Sequence, residues 1–175
     1  MRYTERSKRY EVEKVDEFTY LGVVIEEYGH EKQEIKARIA KGNQKYGSLR
    51  TLMKSKYLSR KTKLRIYRTV IRPTTTYACE TWVLNKTEEE QLERWERKIL
   101  RKILGGINTE EGWRRRTHQE MYEQYKKPKI TIFVREQRIR WLGQIERMAS
   151  ERMPKLVLRE SPLEEDKKED RGRDG

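Results

Sequence analysis

Residues 85–106, NKTEEEQLERWERKILRKILGG, constrain this chain more than any other segment, because they carry helix signals at both ends and one apolar stripe between them. Thr87 and Glu90 stand at capping-box spacing, acids crowd the first turn, Arg101 and Lys102 occupy the last, and Gly105 and Gly106 follow. Leu92, Trp95, Ile99, Ile103 and Leu104 share one side. A helix with one apolar side and a charged remainder is stable only when neighbours cover that side. The chain supplies such cover sparingly: hydrophobic residues are 34% of its 175 and charged residues 41%. The core is expected to be thin, within one domain or a domain plus a tail, and most helix surface must face water or a polar partner.

The flanking segments offer matching faces. Ile35, Ile39, Tyr46, Leu49, Leu52 and Met53 fall on one side of a helix that follows Gly29, with Gly42 and Gly47 as candidate interruptions. In LSRKTKLRIYRTVIRP, Ser59 is an N-cap, Leu64, Tyr67, Val70 and Ile71 form the core side, and Pro73 is expected to force Arg72 out of helical geometry. Thr117 and Glu120 make a second capping box for a short helix to about Tyr125. Pro128 suits the start of another helix, whose inner side is Ile130, Phe133, Val134, Trp141, Ile145 and Met148, with Arg135 and Arg138 pointing elsewhere. Ahead of the helices, residues 9–25 read as a β-hairpin that ends in FTYLGVVI, a run apolar on both faces at residues 18–25. After Pro154 the pattern decays, and from Ser161 onward a disordered charged tail is expected.

The formal charge is +13, and because residues 157–175 carry two more acidic than basic side chains, residues 1–156 hold +15. Such a charge calls for a polyanionic partner. No apolar run approaches the ~18 residues of a spanning helix and no signal-peptide pattern opens the chain, so no membrane partner is expected and the expected location is nucleus or cytoplasm. Cys79 is the one cysteine, which fits a reducing compartment; with His30 and His118 far from it in sequence, no zinc-type spacing exists. A two-metal polymerase or nuclease needs clustered acids, yet of four aspartates only Asp16 lies outside the tail. Glycine loops of the phosphate-binding type are absent as well. Neither a catalytic residue, a metal site nor a cofactor is expected.

The cations are patterned. Lys61, Arg65, Arg68 and Arg72 recur at i, i+4, i+7 and i+11 and are expected to line one helix side as a basic stripe. Lys36, within the series Lys32, Lys36, Lys41 and Lys45, and Arg114 and Arg115, within RRR at 114–116, are further candidate phosphate contacts. Any one such face can equally be a solvated surface, and RRR reads as an import signal as well as a phosphate patch. Trp95 and Trp141 fall on apolar faces and read as core. Trp82 and Trp113 lie in or near connections, where stacking on bases stays open.

Taken in order, FTYLGVVI, EIKARIAKGNQKYGSL, YLSRKTKLRIYRTVIRPTTTYACETW, LERWERKILRKILGG and IRWLGQIERMASERMPK resemble the C-terminal part of reverse transcriptases from non-LTR (LINE-type) retrotransposons, over about residues 9–158. Separate motifs in the family's order, IRP followed by ETW and RWLG followed by ERM above all, carry the resemblance; the terminal EEDKKEDRGRDG departs from the family's basic extension. What the resemblance implies is an RNA-directed DNA polymerase whose catalytic aspartates lie upstream of the YLG strand, so that this chain alone is expected to be inactive. Tyr20, Leu21 and Gly22 are then similar to a primer-grip element, in which Gly22 lets backbone approach a primer strand or neighbouring protein; a glycine bulge in an edge strand is the alternative. The implied fold class is mainly α: a helical thumb-like bundle with a small N-terminal β-hairpin and a disordered C-terminal tail. The implied division is 1–28 as palm remnant, 29–106 as thumb-like domain, 107–156 as helical extension and 157–175 as tail. The implied partner is template-primer nucleic acid (RNA, DNA or hybrid duplex), bound through basic helix faces, together with a separate palm-and-fingers polypeptide. Two other readings stand beside it: a helical protein-interaction module, and the product of a decayed element with no nucleic-acid role.

Overall fold

The computed structural model describes residues 2–5, 8–11, 15, 17–20, 22–26 and 32–159. Leu21 and the expected tail from Ser161 onward lie outside the described residues. The protein is mainly helical. At its N-terminus two antiparallel hairpins replace the single expected one: β1 (Arg2–Glu5) pairs with β2 (Lys8–Glu11), and β3 (Glu17–Tyr20) with β4 (Val23–Glu26). FTYLGVVI is therefore not one strand. Phe18 pairs with Ile25 and Tyr20 with Val23, and Gly22, just ahead of β4, takes a φ of +81° that residues with a side chain resist.

Helix α1 (Lys32–Ser48) runs without interruption through Gly42 and Gly47, and a turn at Leu49 separates it from α2 (Arg50–Lys54). Gly42 has a packing reason: a Cβ there would stand 2.1 Å from Thr75 Oγ1 and 2.7 Å from Trp95 Cζ2. Within the expected face, Ile35 and Met53 are buried, whereas Leu52 is exposed.

Ser59 caps α3 (Arg60–Ile66) by accepting from the Thr62 amide. Pro73 does not end this helix. A π-helical turn (Tyr67–Ile71) carries it into α4 (Arg72–Thr75), and Arg72 keeps helical angles of −60° and −47°. A proline at 73 has no N–H for the Thr69 carbonyl, and its ring crowds that carbonyl; widening the preceding turn relieves both. Neighbouring threonines engage the carbonyls of this stretch, with Thr69, Thr74 and Thr76 hydroxyls donating to Arg65, Val70 and Arg72.

After a short 3-10 turn (Cys79–Thr81) comes α5 (Lys86–Leu104), around which the body is organised. Its capping box is Asn85 with Glu88, two residues ahead of the expected Thr87 and Glu90. The expected side, Leu92, Trp95, Ile99, Ile103 and Leu104, is buried together with Leu100. A hairpin of β5 (Ile107–Thr109) and β6 (Gly112–Arg114) follows, then α6 (His118–Tyr125), capped by Thr117 and Glu120 as expected, and α7 (Ile130–Glu146). Pro154 lies inside a further helix, α8 (Met153–Arg159), so helical structure extends past the point where the sequence pattern weakens. None of the described helices is long and apolar enough to cross a membrane.

One buried carboxylate ties these elements together. Glu96 of α5 has no exposed surface and accepts hydrogen bonds from the Tyr67 hydroxyl (2.8 Å), the Tyr122 hydroxyl (3.1 Å) and the Ile130 amide (2.8 Å). It thereby joins the π turn, α6 and the start of α7. Burial raises its pKa above the ordinary carboxylate value, against the opposing pull of those donors and of Arg72.

Candidate nucleic-acid interface

The expected basic stripe is only partly formed. Lys61, Arg65 and Arg68 are exposed on α3 and its π turn, and no carboxylate among the described residues comes within ion-pair distance of them. Arg72 does not join them. It is 6% exposed, donates from Nη1 to the Tyr125 hydroxyl (2.9 Å) and stacks 4.1 Å above the Phe133 ring. The π turn explains the difference, since one extra residue rotates everything after it by about 100° relative to a regular helix. Arg72 is thus a core cation beside Glu96 and has no surface on which to meet a phosphate.

Lys36 is exposed on α1. On the same helix, Arg38 and Lys41 reach the turn of the second hairpin, donating to the Gly22 carbonyl at 2.7 and 3.3 Å. Gly22 is exposed, and of Tyr20 only the backbone, at the end of β3, is described. Arg114 is exposed too, but its charge is spoken for: it makes a two-pronged pair with Glu120 at 2.6 and 3.0 Å. That bond, followed by the Thr117 amide, draws the Glu120 pKa down to about 2. Arg115 is exposed and has no such partner among the described residues.

Among the described residues, Arg114 and Arg115 belong to a concentration of cations whose helix half sequence reasoning passes over. A cleft of about 850 Å³ opens between the second half of α5 and the β5–β6 hairpin, lined by Arg94, Lys98, Arg101 and Lys102 on the helix and by Trp113, Arg114 and Arg115 opposite. No carboxylate of the described residues lines it. Arg94 pairs loosely with Glu90 at 3.8 Å and Arg114 with Glu120, whereas Lys98, Arg101, Lys102 and Arg115 have no carboxylate in reach among the described residues. Arg101 Nε is buried with no hydrogen-bond partner; burial first, then the positive charges of Arg115 and Arg97, hold its pKa below the usual arginine value. The Lys102 ammonium lies 5.0 Å from the centre of the Tyr46 ring. His118 feels the same field: after burial, it is Arg97, Arg101, Lys129 and Arg115 that lower its pKa.

Two glycines build the cleft. Gly105 ends α5 at a φ of +71°, and a Cβ on Gly106 would stand 2.9 Å from the Arg114 carbonyl, so only glycine lets the hairpin fold back this closely. Arg116 fastens the fold-back by donating to the Gly106 carbonyl at 3.3 Å. A sequence signal for the helix half does exist: Arg94, Lys98 and Arg101 repeat the i, i+4, i+7 spacing of Lys61, Arg65 and Arg68. A charged side of an amphipathic helix reads first as solvated surface, and only the hairpin turns it into one wall of a concavity. No protein-family model, curated protein or solved structure matches the chain.

Proposed function

We propose that this chain holds nucleic acid through phosphate contacts, as the non-polymerising C-terminal part of a LINE-type reverse transcriptase. The observation that supports the reading most is the cleft in which Lys98, Arg101, Lys102 and Arg115 gather with no carboxylate of the described residues in reach. Holding several like charges together is unfavourable unless an anion joins them, and a polyanion is the ligand that rewards the arrangement. Lys61 and Arg65 on α3, Arg68 on the π turn, and Lys36 on α1 provide further positioning contacts that carry no sequence information. Arg72 and Arg114, occupied within the fold, are not among them. The exposed Phe18 of β3 suits cover from a separate palm-and-fingers polypeptide.

The test replaces Lys98, Lys102 and Arg115 by glutamine in one variant and Lys61, Arg65 and Arg68 in another, and measures affinity for an RNA–DNA hybrid duplex. For every cation–phosphate pairing removed, the slope of log K against log salt should become shallower by about 0.9. Both variants should keep the parent's circular dichroism. Unchanged affinity in both would overturn the reading.

A further inference from the structure

The geometry points to a single-stranded segment as the occupant of the α5–hairpin cleft, with an unpaired base stacked on Trp113 and its flanking phosphates against Lys98, Lys102 and Arg115. This rests on the reading that the cationic surface holds nucleic acid, and it names the form of nucleic acid that this cleft takes. Trp113 is 76% exposed, although three of the four tryptophans are buried or half-buried. An indole left in water forgoes about 2 kcal/mol or more of burial, so its position on β6 is not explained by packing. The ring is nevertheless mounted on a fixed hairpin. A Cβ on Gly106 would lie 3.4 Å from its Cε3, the β5–β6 register fixes Trp113 opposite Asn108, and the Arg116 hydrogen bond to Gly106 anchors the end of the hairpin.

An exposed indole among the cations that line the cleft matches one repeating chemistry, in which an anionic backbone alternates with flat apolar rings. Within a duplex the base faces are already stacked and closed to Trp113, so phosphate contacts would be all that a duplex could make here. In a single strand each base offers a free face. Base–indole stacking is itself tolerant of sequence, because every base has a flat face to offer.

The experiment uses the full chain, with Trp113→Ala and Trp113→Phe variants, against three labelled ligands: an oligothymidylate of about twelve nucleotides, a duplex of equal length, and an abasic strand of equal length. For oligothymidylate, Trp113→Ala should weaken binding by about 5- to 150-fold, and Trp113→Phe should restore most of it. Duplex and abasic strand should bind the parent and Trp113→Ala equally, with the same salt slope. Quenching of tryptophan fluorescence by oligothymidylate should shrink in Trp113→Phe. If Trp113→Ala binds all three ligands as the parent does, and salt-dependently, stacking is overturned while phosphate binding stands. Equal weakening toward all three would also overturn it, since Trp113 would then only support the hairpin. A parent that binds none of the three overturns both this inference and the reading beneath it.

Discussion

Glu96 is where the account of the fold can be tested hardest. Replacing it by alanine removes three hydrogen bonds at once and leaves the Tyr67 hydroxyl and the Ile130 amide as buried donors without an acceptor, with the Arg72 charge nearby. Hydrogen bonds to a charged group are worth about 1.5 to 3 kcal/mol each, but the Tyr122 hydroxyl is only half-buried and can turn to water, so we expect a destabilisation of about 3 to 5 kcal/mol. Set against a total of about 5 to 15 kcal/mol for a domain, that is a large share. Urea unfolding followed by circular dichroism reads it directly, and a double-mutant cycle with Tyr67→Phe should show a coupling of about 0.5 to 3 kcal/mol. The pH dependence has a definite sign. Because the folded pKa of Glu96 lies above 4.5, its folded state binds the proton more tightly than the unfolded chain does. Its stabilising contribution is therefore full below about 4.5 and is lost as pH rises through the folded value. Glu96→Gln should remove that decline. A cost below about 1 kcal/mol for Glu96→Ala, or strict additivity with Tyr67→Phe, would refute the description of Glu96 as the joint between α5, the π turn, α6 and α7.

Two further expectations follow from packing. Gly42→Ala should destabilise the protein by about 1 to 3 kcal/mol, read as a lower Tm, because the new Cβ would meet Thr75 Oγ1 and the Trp95 ring on neighbouring helices; a neutral outcome would mean that α1 can lift off its neighbours freely. Burial, with the Glu80 charge adding to it, pushes the Cys79 thiol up to about 12, so a thiol reagent at neutral pH should label it only after denaturant is added, and fast labelling of the native protein would contradict its buried placement.

The residues that make α5 legible are local: an apolar period of 3.6, acids at one end, cations and glycines at the other. Its first turn is readable to within two residues only, since NKTEEE offers two overlapping capping boxes and spacing alone does not choose between them. Ser59 and Thr117 are legible for the same local reason. Arg72 is not. Its place depends on a π turn provoked by Pro73, and a pattern drawn at 3.6 residues per turn carries it to the wrong side of the helix. The second N-terminal hairpin is hidden because the apolar run continues through the turn, where Gly22 alone marks the reversal. The cleft is hidden for a tertiary reason: one wall is built on β5 and β6, each only three residues long, and their one sequence mark is Gly112, directly after the Glu110–Glu111 turn.

The central claim is electrostatic, and one titration tests it most directly: the affinity of the unaltered chain for a hybrid duplex, measured across a range of monovalent salt. If Lys98, Arg101, Lys102 and Arg115 meet phosphates, log K should fall against log salt with a slope of about −4, and of about −6 if Lys61, Arg65 and Arg68 join them. A slope shallower than about −1, or no measurable binding at low salt, would contradict the claim.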